Sequence, residues 1–279
     1  STPKPSSAAS DVYKRQGEAV DLWVRDEGEG LPVVLLHGFT GSGDSMSELV
    51  SPTTNRVIIP DLIGHGLSPA PDQLSVYRME AMVGQLHHLI QEKLNVPGVL
   101  CGYSMGARLA LSYSLNHARE ISGLVLIGGT PGIEDQEEAA DRAANDARLA
   151  SRIENEGMSE FVQYWERLPL FASQVHLSDG VKRSIRRMRL AQRSHGIANS
   201  LRMASTGIMT SMWKELEKLE IPTLLITGAY DEKFTELAKQ MERVIPSARH
   251  VIIPNAGHAA HTENPIVVKR RIEEFLRKL

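Results

Sequence analysis

The sequence contains very little cysteine. Among its 279 residues there is one, Cys101, which excludes an intrachain disulfide framework and leaves too few thiolates for a zinc or iron–sulfur site. It also lacks both the roughly 18 consecutive apolar residues of a membrane span and the apolar centre of a signal peptide. These absences predict a protein of a reducing cytoplasm, without membrane insertion.

Excess charge of either sign is also missing. The formal net charge is -3 and the sequence pI is about 6.4, so the chain as a whole does not attract nucleic acid or an anionic membrane. Any anion must therefore be bound locally. The 42% apolar content and the length predict one domain with a substantial core.

Residues 1–16 show no apolar periodicity. This stretch, STPKPSSAASDVYKRQ, is rich in Ser, Pro and Ala and cannot bury enough surface to offset its ordering entropy. We therefore predict a disordered tail and exclude it from the fold.

Short apolar runs alternate with helical patterns from residue 17 onwards. The runs predict strands, and the continuous apolarity of several of them is typical of strands buried on both faces. They are AVDLWVRD, PVVLLHG, RVIIPD, GVLCG, GLVLIGG, PTLLITG and HVIIP. Strands separated by helices predict an α/β fold with a mostly parallel sheet, whose functional groups gather at the carboxyl ends of the strands.

The alternation stops over residues 133–207, where four helical patterns follow one another without a strand. These patterns cover residues 134–157, 159–168, 178–196 and 197–205. We expect a helical lid inserted into a core formed by residues 17–132 and 208–279.

A serine flanked by glycines follows one of the apolar runs. In GVLCGYSMGARLAL, Ser104 lies between Gly102 and Gly106, immediately before a helical pattern. This is the nucleophile-elbow pattern, in which a sharp strand-to-helix turn exposes the serine hydroxyl and leaves no room for a larger flanking residue. The pattern predicts a reactive hydroxyl but does not say whether it attacks a carbonyl or moves a proton.

A reactive serine needs an imidazole to take its proton and a carboxylate to orient the imidazole. Asp231 follows the run PTLLITG, and His258 follows HVIIP, which gives the Ser, Asp, His order of α/β-hydrolases. Asp231 could instead only cap the next helix, and Glu232 and His261 are neighbouring rivals for the two roles. We predict the triad because all three residues follow strands that should end at one edge.

The sequence HGF after the second predicted strand supplies main-chain donors. The turn at Gly38 can aim the Phe39 amide at the elbow, and with the Met105 amide it would form an oxyanion hole. A phosphate-binding loop is disfavoured because neither G-x-G-x-x-G nor the Walker pattern occurs.

These motifs together resemble the α/β-hydrolase superfamily over residues 17–279. The segments that carry the resemblance are LLHGFTGS, IIPDLIGHGLS, GYSMGARLAL and NAGHAAHTENP. Within the superfamily, GGTPGIED, WERLPLF and RLAQRSHGIANSLR, together with Trp213, resemble the synthase family that forms 2-succinyl-6-hydroxy-2,4-cyclohexadiene-1-carboxylate in bacterial menaquinone (vitamin K2) biosynthesis.

The resemblance implies a lyase rather than a hydrolase. In that family the serine removes the proton beside the succinyl ketone and pyruvate is eliminated, without metal or cofactor. The implied substrate-binding residues of this polycarboxylate site are Tyr103, Arg108, Arg142, Trp165 and Arg189. Arginine suits this role because its guanidinium grips carboxylates in a bidentate manner.

The sequence departs from the family at two places and leaves other functions open. Met209-Thr210-Ser211 stands where Gln-Pro-Ser is common, and a tryptophan often found near Met46 is replaced. The alternatives are a carboxylesterase or C–C bond hydrolase acting through an acyl-enzyme, and a non-catalytic receptor on the same scaffold.

Overall fold

A computed structural model describes residues 20–279, so the predicted tail lies outside the described residues. The sheet of this part of the chain has seven strands: β1 Val24–Glu27, β2 Pro32–Leu36, β3 Arg56–Pro60, β4 Gly98–Tyr103, β5 Ile121–Ile127, β6 Thr223–Gly228 and β7 Ala248–Ile253. Their spatial order is β1-β3-β2-β4-β5-β6-β7. β1 pairs antiparallel with β3, and the other neighbours pair in parallel.

Eight α-helices occupy residues 20–279 together with the strands. They are α1 Met79–Lys93, α2 Met105–Asn116, α3 Gln136–Trp165, α4 Asp179–Leu190, α5 Ser194–Met203, α6 Glu232–Val244, α7 Ala260–Glu263 and α8 Pro265–Leu276. None of these helices is both long enough and apolar enough to cross a lipid bilayer.

Alternation along the strands builds a core on each face of the sheet. In β2, Val34 and Leu36 pack with residues of α1, α2 and α6, whereas Val33 and Leu35 pack with residues of α8 on the opposite face. Because both faces are covered, all five residues of β2 are buried. This explains the unbroken apolar runs of the sequence.

The segment between β5 and β6 contains α3, α4 and α5, within the span predicted as a lid. It has a small apolar core of its own, made by the facing sides of α3 and α5. α3 runs through both of the first two predicted helices, with a kink at Gly157, whose φ of 81° is not helical. The segment therefore packs through its own core, and residues of α3 and α5 line the cavity beside Ser104.

One helix boundary in the lid differs from the prediction. The third helical pattern was expected to continue to residue 196, but α4 ends at Leu190 and α5 begins at Ser194. The break lets Gln192 turn towards the core, where its Nε2 donates to Gly41 O over 3.0 Å and its Oε1 accepts from Gly66 N over 2.9 Å. Tertiary hydrogen bonds have overridden helix propensity here.

Candidate active site

Ser104 lies at the turn between β4 and α2. Its φ of 50° and ψ of -104° are strained for a residue with a side chain, as expected at a nucleophile elbow. A Cβ at Gly102 would overlap the carbonyl oxygen of Gly106, and one at Gly106 would overlap that of Leu36. The two glycines therefore allow the close approach of backbones that the turn requires.

His258 lies between Ser104 and Asp231. Its Nε2 is 3.1 Å from Ser104 Oγ, and its Nδ1 is 2.8 Å from Asp231 Oδ2. The His258 and Asp231 side chains are only 2% and 5% exposed. In this arrangement Asp231 holds the proton on Nδ1, so that Nε2 is free to accept the proton of Ser104.

Asp231 also caps α6. Its second oxygen, Oδ1, accepts a hydrogen bond of 3.3 Å from Phe234 N. The two interpretations of this aspartate are therefore compatible, because each role uses a different carboxylate oxygen. The rival acid, Glu232, is exposed and has no bond to His258 among the described hydrogen bonds.

The rival histidine, His261, is buried against Tyr103, with ring centroids 4.2 Å apart. Burial, with a smaller contribution from neighbouring His258, lowers the pKa of His261 to about 3. Its Nδ1 has no hydrogen-bond partner among residues 20–279. His261 consequently serves as a neutral packing residue beside the triad rather than as the partner of Ser104.

The two predicted oxyanion-hole residues flank the elbow. Phe39 N makes no hydrogen bond to the described part of the chain, and Met105 N belongs to the first residue of α2, where an N–H has no intrahelical acceptor. Both amides are thus available to a ligand. The Phe39 ring packs edge-on against Trp165 of the lid, with centroids 5.4 Å apart.

A cavity of about 240 Å³ lies above Ser104 and His258. Its wall includes Phe39, Tyr103, Met105, Arg108, Arg142 and Trp165, together with residues that sequence reasoning missed: Asp146, Phe171, Ser205, Lys233 and Phe234. The cavity therefore brings together every predicted site residue except Asp231 and Arg189. Asp231 lies outside it and is hydrogen-bonded to His258.

Arg108 is buried beside the elbow without a counter-ion. Its Nη1 donates to Ala204 O over 2.7 Å and contacts Met209 Sδ at 3.5 Å, and it forms no ion pair with a described residue. Burial lowers the pKa of Arg108 to about 10, with a further lowering from the Arg142 charge and an opposing effect of Asp146. A buried cation of this kind is costly unless an anion binds to it.

Arg142 and Asp146 form a neighbouring pair on α3. Arg142 Nε donates to Asp146 Oδ2 over 2.8 Å, and the same oxygen accepts from Ser205 Oγ over 2.7 Å. Asp146 is therefore already occupied and does not neutralise Arg108. Lys233 adds another cation to the cavity wall and has no ion pair within the described chain.

Arg189 lies one layer behind the cavity rather than on its wall. Its guanidinium is 5.0 Å from the ring centre of Phe171, and its Nη1 is 3.5 Å from Glu166 Oε1. The aromatic ring of Phe171 stands between Arg189 and the cavity, because Phe171 lines the cavity and Arg189 does not. A direct contact with substrate, as the sequence predicts, requires Phe171 to move.

The two positions that depart from the family pattern differ in what they contact. Met209 touches Arg108 through its sulfur, so this substitution borders the buried cation. Met46 is fully buried in the short helical turn Gly43–Met46 and does not line the cavity.

The chain belongs to the α/β-hydrolase fold family, whose sequence model matches residues 32–265. It is 38% identical to a putative 2-succinyl-6-hydroxy-2,4-cyclohexadiene-1-carboxylate synthase of Bacillus subtilis, over 93% of this chain and 96% of that protein. The fold prediction and the family resemblance are thereby confirmed.

Two solved structures are similar to the whole fold. The structure described as MenH from S. aureus has a TM-score of 0.87 and 31% identity, covering 92% of this chain and 98% of that one. A malate-bound thermophilic esterase from Thermogutta terrifontis has a TM-score of 0.82 and also 31% identity, covering 92% and 93%.

Proposed function

We propose that this chain is a 2-succinyl-6-hydroxy-2,4-cyclohexadiene-1-carboxylate synthase. It eliminates pyruvate from 2-succinyl-5-enolpyruvyl-6-hydroxy-3-cyclohexene-1-carboxylate and so acts as a carbon–oxygen lyase in menaquinone biosynthesis. The Bacillus relative is named for this activity, and its match to this chain covers nearly the full length of both proteins. The observation that carries the proposal to this site is Arg108, a buried guanidinium without a counter-ion beside the elbow.

The substrate is rich in carboxylates and the cavity is rich in cations. Arg108, Arg142 and Lys233 line the cavity, against the single carboxylate of Asp146. A carboxylate bound to Arg108 would offset the cost of burying its charge, and charge-assisted hydrogen bonds of this kind are roughly twice as strong as neutral ones. This balance favours a small polycarboxylate over a neutral ester or nucleic acid.

Ser104 acts as a base in the proposed reaction. Its oxygen takes the proton next to the succinyl ketone while its own proton passes to His258 Nε2, and Asp231 stabilises the resulting imidazolium. The Phe39 and Met105 amides hold the negative charge that develops on the ketone oxygen. Electrons then shift through the ring and the carbon–oxygen bond to the enolpyruvyl group breaks, releasing the enolate of pyruvate. The proton held by His258 is returned to the CH₂ carbon of this enolate, which gives pyruvate and restores the neutral imidazole.

No step of this mechanism requires a cofactor or a metal. The proposal places the reaction in a bacterial cytoplasm, which the single free cysteine, Cys101, supports.

Pyruvate release from the enolpyruvyl substrate tests the proposal directly. We expect rapid pyruvate formation by the unaltered chain, loss of at least about 100-fold in Ser104→Ala because general-base catalysis contributes about 10²–10⁴-fold, and no change in Ser247→Ala, an exposed serine. Nitrophenyl ester hydrolysis without pyruvate would instead identify an esterase. Ligand binding that survives Ser104→Ala without turnover would identify a receptor.

A further inference from the structure

A cluster of two histidines and one glutamate lies outside the catalytic cavity. His87 projects from α1, His117 directly follows α2, and Glu120 ends the short helical turn Ala118–Glu120 before β5. One potential ligand atom from each of the three residues lies within 4.8 Å of the other two. None of the three lines the cavity above Ser104.

One distance within the cluster matches the edge of a tetrahedral metal site, and a second, to the other Glu120 oxygen, is slightly longer. His87 Nδ1 is 3.3 Å from Glu120 Oε2, and His117 Nδ1 is 3.7 Å from Glu120 Oε1. Two ligands about 2.0–2.1 Å from a zinc ion, at the tetrahedral angle, lie about 3.3–3.4 Å apart. The three residues are therefore close enough to share one ion once their side chains reorient.

The backbone fixes two of the three ligands relative to each other. His117 N donates to Tyr113 O over 2.8 Å, and Glu120 N donates to His117 O over 3.0 Å. The Glu120 carboxylate also accepts from the Tyr113 hydroxyl. Since ordering of the ligands is a main cost of binding a metal, a preformed turn of this kind lowers that cost.

The charges in the cluster favour a cation. Glu120 pairs with the two histidines, and it forms no ion pair with a lysine or arginine of residues 20–279. A neutral imidazole is the form that binds a metal.

One ligand must turn before an ion can bind. The His87 and His117 rings are stacked, with centroids 4.3 Å apart and planes inclined by 19°, so their lone pairs run side by side instead of converging. The His87 side chain is 32% exposed, and its Nδ1 also lies 3.2 Å from the Tyr113 hydroxyl. A bound ion would replace the Tyr113 hydroxyl as the partner of this nitrogen.

We propose that His87, His117 and Glu120 form a binding site for a divalent zinc-like ion, with water in the fourth position. Two imidazoles and one carboxylate form a donor set that suits zinc, whereas calcium and magnesium prefer oxygen ligands alone. The ion would tie α1 to the end of α2 and the start of β5. It would stabilise the native fold without taking part in pyruvate elimination.

Calorimetric titration with zinc chloride tests this site on the tag-free full chain, after dialysis against EDTA and then into a buffer that does not chelate. We expect one ion per chain, and binding weakened by more than about 100-fold in His87→Ala and in His117→Ala, because even the loss of an outer-shell partner costs about 10- to 100-fold. His88→Ala is the matched control, since this neighbouring histidine is exposed and outside the cluster. It should bind as the unaltered chain does.

Thermal unfolding distinguishes the loss of a zinc-coordinating side chain from misfolding of the variant. Zinc should raise the Tm of the unaltered chain and of His88→Ala, because an ion bound only to the native state stabilises it, but it should leave the Tm of His87→Ala unchanged. Without zinc, His87→Ala should melt close to the unaltered chain, since His87 is partly exposed. Absence of zinc binding, or equal binding by all variants, would overturn the proposal.

Discussion

Replacement of Asp231 by asparagine should separate its role as the acceptor for His258 from its role as the cap of α6. The carboxylate gives Oδ2 to His258 Nδ1 at 2.8 Å and Oδ1 to Phe234 N at 3.3 Å. Asparagine keeps an oxygen for the cap of α6 and is itself a favourable N-cap. It replaces the oxygen facing His258 by an NH₂ group, which cannot accept the imidazole proton. The proton then moves to Nε2, where it blocks transfer from Ser104.

The expected effect on pyruvate formation is large. In a protease with the same triad, the corresponding change lowers kcat about 10⁴-fold by fixing the wrong tautomer, which corresponds to about 5.4 kcal/mol in the barrier. We expect Asp231→Asn to lose about 10³–10⁴-fold in kcat. Its Tm should remain close to that of the unaltered chain because the cap persists.

Asp231→Ala should lose both activity and stability. Removal of an N-cap costs about 1 kcal/mol, and the buried His258 N–H left without an acceptor adds about 1–3 kcal/mol. For a chain of this size each kcal/mol lowers Tm by about 2–4 °C, so Asp231→Ala should melt at least several degrees below Asp231→Asn.

Asp135→Ala is the matched control for the cap. Asp135 caps α3 through a 2.8 Å bond from Glu138 N and is exposed, so its loss should lower Tm by a few degrees and leave kcat unchanged. Near-normal turnover by Asp231→Asn, or equal melting temperatures of the two Asp231 variants, would refute the assignment of one oxygen to each role.

Three further predictions concern the surroundings of the triad. Arg108→Met should lower kcat/KM for pyruvate release by about 30-fold or more, since a charge-assisted contact is worth about 2 kcal/mol, while Tm changes little because the buried charge has no counter-ion; a normal kcat/KM would remove Arg108 from substrate binding. The neutral His261 should destabilise the fold in acid. Its pKa is near 3 in the folded chain and about 6.5 in the unfolded chain, so the unfolded state binds more protons between these pH values. The free energy of unfolding therefore falls by up to about 1.4 kcal/mol per pH unit as the pH drops below about 6.5. Urea unfolding at several pH values should show a shallower fall in His261→Phe, and parallel curves would contradict the assignment. Gln192→Leu should lower both Tm and kcat, since it leaves Gly41 O and Gly66 N unpaired beside the oxyanion loop, whereas the exposed control Gln240→Leu should change neither.

Regular patterns in the sequence were sufficient to predict the sheet and the proximity of Ser104, Asp231 and His258. Buried parallel strands need continuous apolar runs, and the seven predicted strands correspond to the seven strands from β1 to β7. Because these strands end at one edge, residues as distant as Ser104 and His258 could be expected to meet.

The positions of long side chains in the lid could not be predicted in the same way. Arg189 was expected at the substrate, but its guanidinium lies over Phe171 and near Glu166, a placement that depends on how three lid segments pack. Gln192 lay inside a helical pattern, and nothing local in the sequence signals its bonds to Gly41 and Gly66. Lys233 lies two residues after Asp231 and belongs to no motif, so nothing local in the sequence marks it as a cavity residue.

Identity to the two solved structures does not by itself separate a synthase from an esterase, because each is 31% identical to this chain, whereas the 38% identity to the Bacillus synthase favours the synthase. The same triad can attack an ester carbonyl or remove a proton, depending on which substrate atom lies next to Ser104 Oγ. The residues of the cavity wall therefore determine which reaction occurs, because they position the substrate. Arg108 is 8% exposed and lines the cavity beside Ser104, so in the proposed reaction a carboxylate bound to it would orient the substrate ring. Asp146 neutralises Arg142 in part but leaves Arg108 unpaired. If Arg108 orients the ring, Arg108→Met should reduce pyruvate elimination far more than hydrolysis of a small neutral ester, whereas an equal loss of both activities would mean that Arg108 supports the elbow rather than the substrate.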